Sequence, residues 1–218
     1  GRTQEIVYGL RQLSEARKIP RLPIFVDSPL AVDVTEIFRL HPECYDEETL
    51  ALITRSDEND PFGFKSLRYV RSMEESKDLN YMREPIIIIS ASGMCESGRI
   101  LHHLKNSIED PRNTILIVSF QARHTLGRRL VEGEKGVKIF GEEYERRAEV
   151  EVIDGYSAHA DRGELLGYIG QLDRQRLKKV FVVHGEQEQA EALAGGIREL
   201  GIKDVQVPAP METAEIAM

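Results

Sequence analysis

Two histidines stand where short apolar runs end. His159 lies in Tyr156-Ser157-Ala158-His159-Ala160-Asp161, after a run ending at Ile153, and His184 lies in Val183-His184-Gly185-Glu186, after a run beginning at Val180. An imidazole can move a proton or hold a metal near neutral pH, and in α/β proteins ligand-binding groups gather beyond the carboxyl ends of strands. Each histidine also has a plain reading as an ordinary turn residue. The neighbouring acids have structural explanations. Asp161, with Glu164 three residues on, matches a capping box, and Glu186 suits the first turn of a helix, where the macrodipole favours an anion.

Three further junctions carry groups suited to phosphate. Ser90-Ala91-Ser92-Gly93 runs on to Arg99, so backbone amides at Ser92 and Gly93 with the Arg99 charge could meet a phosphate. Gln121 and Thr125 precede Arg128, and Arg123, Arg128 and Arg129 fall within seven residues, enough charge to face a nucleic-acid backbone. Asp27-Ser28 ends another apolar run. The alternatives are a glycine-containing turn, a solvated helix start, and Ser28 as a helix cap. His41, His102 and His103 are given no role, and His124 stands beside the arginines without a firm one.

The elements that must position these residues follow from periodicity. Helices are predicted over residues 3–18, 29–40, 46–53, 66–79, 97–108, 126–131, 163–172 and 186–200. Strands are predicted over 24–26, 86–89, 114–118, 137–140, 148–153, 180–183 and 205–207. Ile86-Ile87-Ile88-Ile89 and Thr114 to Val118 are unbroken apolar runs suited to strands buried on both faces, which argues for an α/β domain with a parallel sheet. Residues 137–140 and 148–153 alternate, as strands open to solvent on one face do. A boundary is expected near residue 145.

Composition bounds the function. Of 218 residues, 41% are apolar and 30% charged, so a soluble globular protein is expected. The net charge of −8 disfavours non-specific nucleic-acid binding unless the basic residues cluster, as they partly do between Arg99 and Arg129. Cys44 and Cys95 are isolated, which fits a reducing, cytoplasmic setting better than a disulfide framework. Neither a membrane span nor a signal peptide is expected. The chain opens on Gly1 rather than Met, and a fragment of a longer polypeptide is the expectation.

Taken in order, Gly1-Arg2-Thr3-Gln4-Glu5, Val26-Asp27-Ser28-Pro29-Leu30-Ala31, Ser92-Gly93-Met94, Gln121-Ala122 with Thr125-Leu126-Gly127-Arg128, and the two histidine motifs resemble the β-CASP family of metallo-β-lactamase-fold RNA nucleases. The resemblance implies an α/β parallel-sheet β-CASP domain over 1–145 with helices on both faces. It implies that 146–218 form the C-terminal portion of a metallo-β-lactamase αββα fold. It further implies that His159 is the motif B histidine beside the scissile phosphate and His184 the motif C zinc ligand.

The family's main zinc motif, His-x-His-x-Asp-His, is absent from this chain. The expectation is therefore the C-terminal part of a zinc-dependent ribonuclease that hydrolyses RNA phosphodiester bonds. Two Zn2+ ions are expected in the full-length enzyme, none held by this chain alone, and no activity without the N-terminal metallo-β-lactamase half. A homodimer is possible, a membrane partner is not expected, and the alternative is a non-catalytic RNA-binding partner subunit. A nucleotide-binding domain is disfavoured because no Gly-x-Gly-x-x-Gly or P-loop pattern occurs.

Overall fold

The computed structural model describes residues 1–55, 59–156 and 159–214. The chain forms two compact units, Gly1–Ser157 and Ala158–Met218.

In the first unit, β1 (Ile24–Asp27) is the middle of a parallel sheet, flanked by β2 (Leu67–Tyr69) and β3 (Ile87–Ser90). All four β1 residues are buried, as a strand covered on both faces must be. Val26 packs with Val7 of α1 (Arg2–Glu15) and with Phe62, close to Ala31 and Phe38 of α2 (Pro29–Leu40). Phe25, one residue earlier, faces the opposite layer of Val70 and Leu79. Pleat alternation thus feeds two cores from one strand, and each such fully buried side chain contributes about 1.5–3 kcal/mol.

A second cluster joins Leu104 and Ile108 to Ile115, Ile117, Leu126, Leu130, Val137 and Ile139. These residues belong to or border α5 (Ile100–Ser107), β4 (Thr114–Ile117), α6 (Leu126–Val131) and β5 (Gly136–Ile139). Strand β4 pairs in parallel with β7 (Glu149–Val152). The remaining helix of the sequence reading near residue 50 is α3 (Glu47–Arg55).

Two expectations are corrected. Residues 66–79 are not one helix: Leu67–Tyr69 form β2, and α4 covers only Met73–Leu79. Tertiary pairing with β1 overrides local helix preference in the first half. Ser72 and Glu75 then restart the chain as a helix with a reciprocal capping box. A strand was also missed. β6 (Glu142–Glu145) pairs antiparallel with β5, although three of its four residues are glutamates with poor strand propensity. The hairpin turn carries it, with Phe140 and Gly141 at φ 53° and 83°, the left-handed pair of a type I′ turn.

In the second unit, β8 (Val180–Phe181) and β9 (Val205–Gln206) pair in parallel, and α7 (Arg162–Gly170) packs on α8 (Gln187–Glu199) over Ala194, Ile197 and Leu166. Gly196 permits this approach, because a Cβ there would lie 2.7 Å from Nη2 of Arg162 and 3.1 Å from Leu166. No helix among the described residues is long and apolar enough to cross a membrane.

Candidate nucleic-acid interface

Asp27 ends β1 and has no exposed surface. Its carboxylate accepts from Ser76 Oγ at 2.5 Å and from Nη1 of Arg99 at 2.5 Å, and it lies 2.6 Å from Nε2 of His103. Burial alone would push this carboxyl up in pKa, but the His103, Ser76 and Arg99 contacts outweigh it and hold it below the usual range. Asn80 completes the network, its Oδ1 2.9 Å from Nδ1 of His103.

A phosphate contact at Asp27 does not fit this geometry, because the group is buried, anionic and already satisfied. Arg99 is equally committed: beyond Asp27, its Nη2 donates to the Arg71 carbonyl at 2.7 Å. Here Arg99, expected to meet phosphate, braces β1 against the segment that follows β2. Sequence reasoning missed His103, for which a signal existed. Arg99 and His103 are four residues apart and so share one face of the α5 turn, a pattern that suits a common carboxylate partner.

Ser28 caps α2, its Oγ accepting from the Ala31 amide at 3.3 Å. Thr125 caps α6 in the same way, accepting from the Arg128 amide at 3.2 Å. Ser92 turns its Oγ inward to the amides of Glu96 and Ser97, at 3.2 and 3.3 Å. These three hydroxyls therefore shape loops. The amides opening α6 are also spent, on the Glu96 carboxylate (Leu126), the Met94 carbonyl (Gly127) and Thr125 (Arg128).

Those contacts fuse two loops into one body. Gln121, buried, donates Nε2 to the Gly93 carbonyl at 2.9 Å and to the Ser119 carbonyl at 2.9 Å. Ser119 Oγ donates to the same Gly93 carbonyl at 3.2 Å. Gln121, expected to touch phosphate, clamps the loop that carries Gly93. Gly93 is exposed at the tip. Arg128 is half-buried, with Nε 2.6 Å from Glu132.

In the second unit, His159 and His184 are both exposed. His184 follows β8 in a left-handed backbone conformation, φ 63°, which for a non-glycine residue is uncommon and clusters at functional sites. Beyond His159, the Asp161–Glu164 capping box opens α7 as read from sequence, with reciprocal bonds of 2.8 and 2.9 Å. Ser157 and Ala158 of the motif lie outside the described residues. Among the described residues no three His, Cys, Asp or Glu side chains converge as a metal site. Catalytic zinc takes about three protein ligands, so the donors described here do not by themselves fit a complete zinc centre.

Comparison with known proteins bears on this geometry. Residues 3–130 match the Beta-Casp domain, and residues 143–208 match the Zn-dependent metallo-hydrolase RNA specificity domain. The chain is 37% identical over 192 residues to Ribonuclease TTHA0252 of Thermus thermophilus, covering 88% of this chain and 42% of that protein. It is 32% identical over 202 residues to Transcription termination factor FttA of Methanosarcina mazei, covering 90% of this chain and 31% of that one. FttA of Pyrococcus abyssi is 33% identical over 222 residues, 99% of this chain and 34% of that protein. The chain thus spans between about a third and two fifths of the length of these relatives. With a β-CASP match over more than half its length, on a mixed α/β framework of parallel strands, the chain belongs to the β-CASP family of metallo-β-lactamase-fold proteins.

Proposed function

We propose that this chain is the RNA-gripping portion of a zinc-dependent ribonuclease that hydrolyses RNA phosphodiester bonds. The observation that carries the reading is the clamped pair of loops at the carboxyl ends of β3 and β4, which holds Gly93 at a fixed, exposed tip. A preformed loop binds a flexible strand without first being ordered. In this reading, Gly93 and Arg128 contact RNA phosphates, and residues 1–145 form the RNA-binding domain. His159 contacts the scissile phosphate or protonates the leaving oxygen, and His184 serves as one zinc ligand. The other ligands come from beyond this chain, which by itself is inactive. The name ribonuclease borne by one relative supports cleavage, and other relatives bear the name transcription termination factor.

The test is zinc content, RNA affinity and single-turnover cleavage of the full-length protein and two variants. His184→Ala should lose zinc and cleavage together. His159→Ala should keep zinc and RNA affinity while the chemical step slows by roughly a hundred- to ten-thousand-fold. Normal cleavage by both variants would overturn the assignment of the histidines. RNA binding without cleavage by the wild type would favour a non-catalytic partner subunit.

A further inference from the structure

Arg2, the first residue of α1, reaches the same loop tip from the other side. Its Nε donates to the Tyr156 carbonyl at 3.1 Å, so the base of the guanidinium is fixed. Its Nη1 lies 3.8 Å from the point where a Cβ on Gly93 would stand, and Ser119 Oγ lies 3.2 Å from that point. The side chain is half-buried, and among the described residues Nη1 and Nη2 donate no hydrogen bond. No acidic side chain pairs with it there.

The Gly93 tip has matching unspent donors. The amides of Glu96 and Ser97 go to Ser92 Oγ, and that of Cys95 to the Ser92 carbonyl. The amides of Gly93 and Met94 donate to nothing among the described residues. A cation held at Nε with two unused amino nitrogens, next to two consecutive unused amides on a glycine tip, is complementary to a phosphate oxygen rather than to a base edge. A Cβ on Gly93 would occupy the space between Arg2 and Ser119.

We propose that Arg2 is a substrate-binding residue that holds an RNA backbone phosphate against the Gly93–Met94 tip. This rests on the RNA-binding reading above. Arg2 also holds the Tyr156 carbonyl, so its loss could act by shape alone. Salt dependence separates the two roles: a direct phosphate contact releases a counterion, and a shape effect does not.

The experiment measures binding of an uncut single-stranded RNA oligonucleotide to the full-length protein across a salt series. Wild type is compared with Arg2→Gln, Arg2→Lys and the surface control Arg112→Ala, whose guanidinium is exposed and paired with Asp110. Arg2→Gln should weaken binding by about tenfold and lower the slope of log K against log salt by about one. Arg2→Lys should keep the slope, and Arg112→Ala should match wild type. Should Arg2→Gln fail to fold, Arg2→Lys decides alone, since a lowered slope there overturns the charge role. An unchanged slope in a folded Arg2→Gln overturns the proposal and leaves the RNA reading standing. Absence of RNA binding by the wild type overturns both.

Discussion

Gln121 and Gly127 compete for one volume: a methyl group on Gly127 would overlap Oε1 of Gln121, while the Gly127 amide donates to the Met94 carbonyl at 3.1 Å. The glycine is required by close approach rather than by backbone conformation. It lets a buried side chain lie flat on the first turn of α6 and reach the Gly93 carbonyl with its amide nitrogen.

Gly127→Ala should therefore displace Gln121 and release its bonds to Gly93 and Ser119. We expect a loss of about 1–3 kcal/mol, typical of overpacking. In a Gln121→Ala background the same substitution should cost much less. A double-mutant cycle by urea denaturation measures this, and a coupling energy near zero would contradict the overlap.

Asp27→Asn should destabilise by about 3–5 kcal/mol, because it leaves Arg99 beside a neutral group in a buried site. The pH dependence follows from the lowered carboxyl pKa. A group whose pKa is depressed on folding stabilises the native state above its unfolded value, here 3.8, and that contribution is lost as pH falls through the lower folded value. Wild type should thus lose stability below about pH 4, and Asp27→Asn should show a shallower loss there. Parallel acid denaturation curves for the two proteins would remove Asp27 from this account.

The two thiols should differ sharply in reactivity. Cys95 is buried, and desolvation pushes its pKa up to about 11, whereas Cys44 is exposed. A thiolate-selective reagent at pH 8 should label Cys44 quickly in the native protein and Cys95 only after unfolding. Mass mapping of the labelled peptides checks this, and prompt native labelling of Cys95 would contradict its burial.

Arg128 meets Glu132, the residue that caps the C-terminal end of α6, so this acid competes with any phosphate that approaches. Glu132→Gln should tighten binding of uncut RNA, and Arg128→Ala should weaken it for all sequences about equally with a flatter salt slope. Fluorescence anisotropy across a salt series is the measurement. Weaker binding by Glu132→Gln would mean that the acid orients Arg128 for RNA rather than restraining it.

Much of the framework was legible in the chain alone. Pro29 after Ser28 marked the start of α2, and the apolar run before Ser90 marked a parallel strand, although its residues are half-buried rather than buried on both faces. Capping and periodicity are local properties, written within a few residues of where they act. For the same reason the capping role of Asp161 is written in its own neighbourhood, with Glu164 three residues on. What the chain could not disclose was partnership at long range. Asp27 and His103 stand 76 residues apart, and only the parallel pairing of β1 with β3 brings α5 beneath the end of β1. β2 is a strand because β1 supplies its hydrogen-bond partners, and β6, poor in strand propensity, is held by pairing with β5 across the Phe140–Gly141 turn. Residues that look alike in sequence as polar groups at strand ends were then sorted by the fold. Asp27, Arg99 and Gln121 turn inward, because a buried polar group must find its partners inside, while Gly93 remains at the surface and Arg2 is brought beside it.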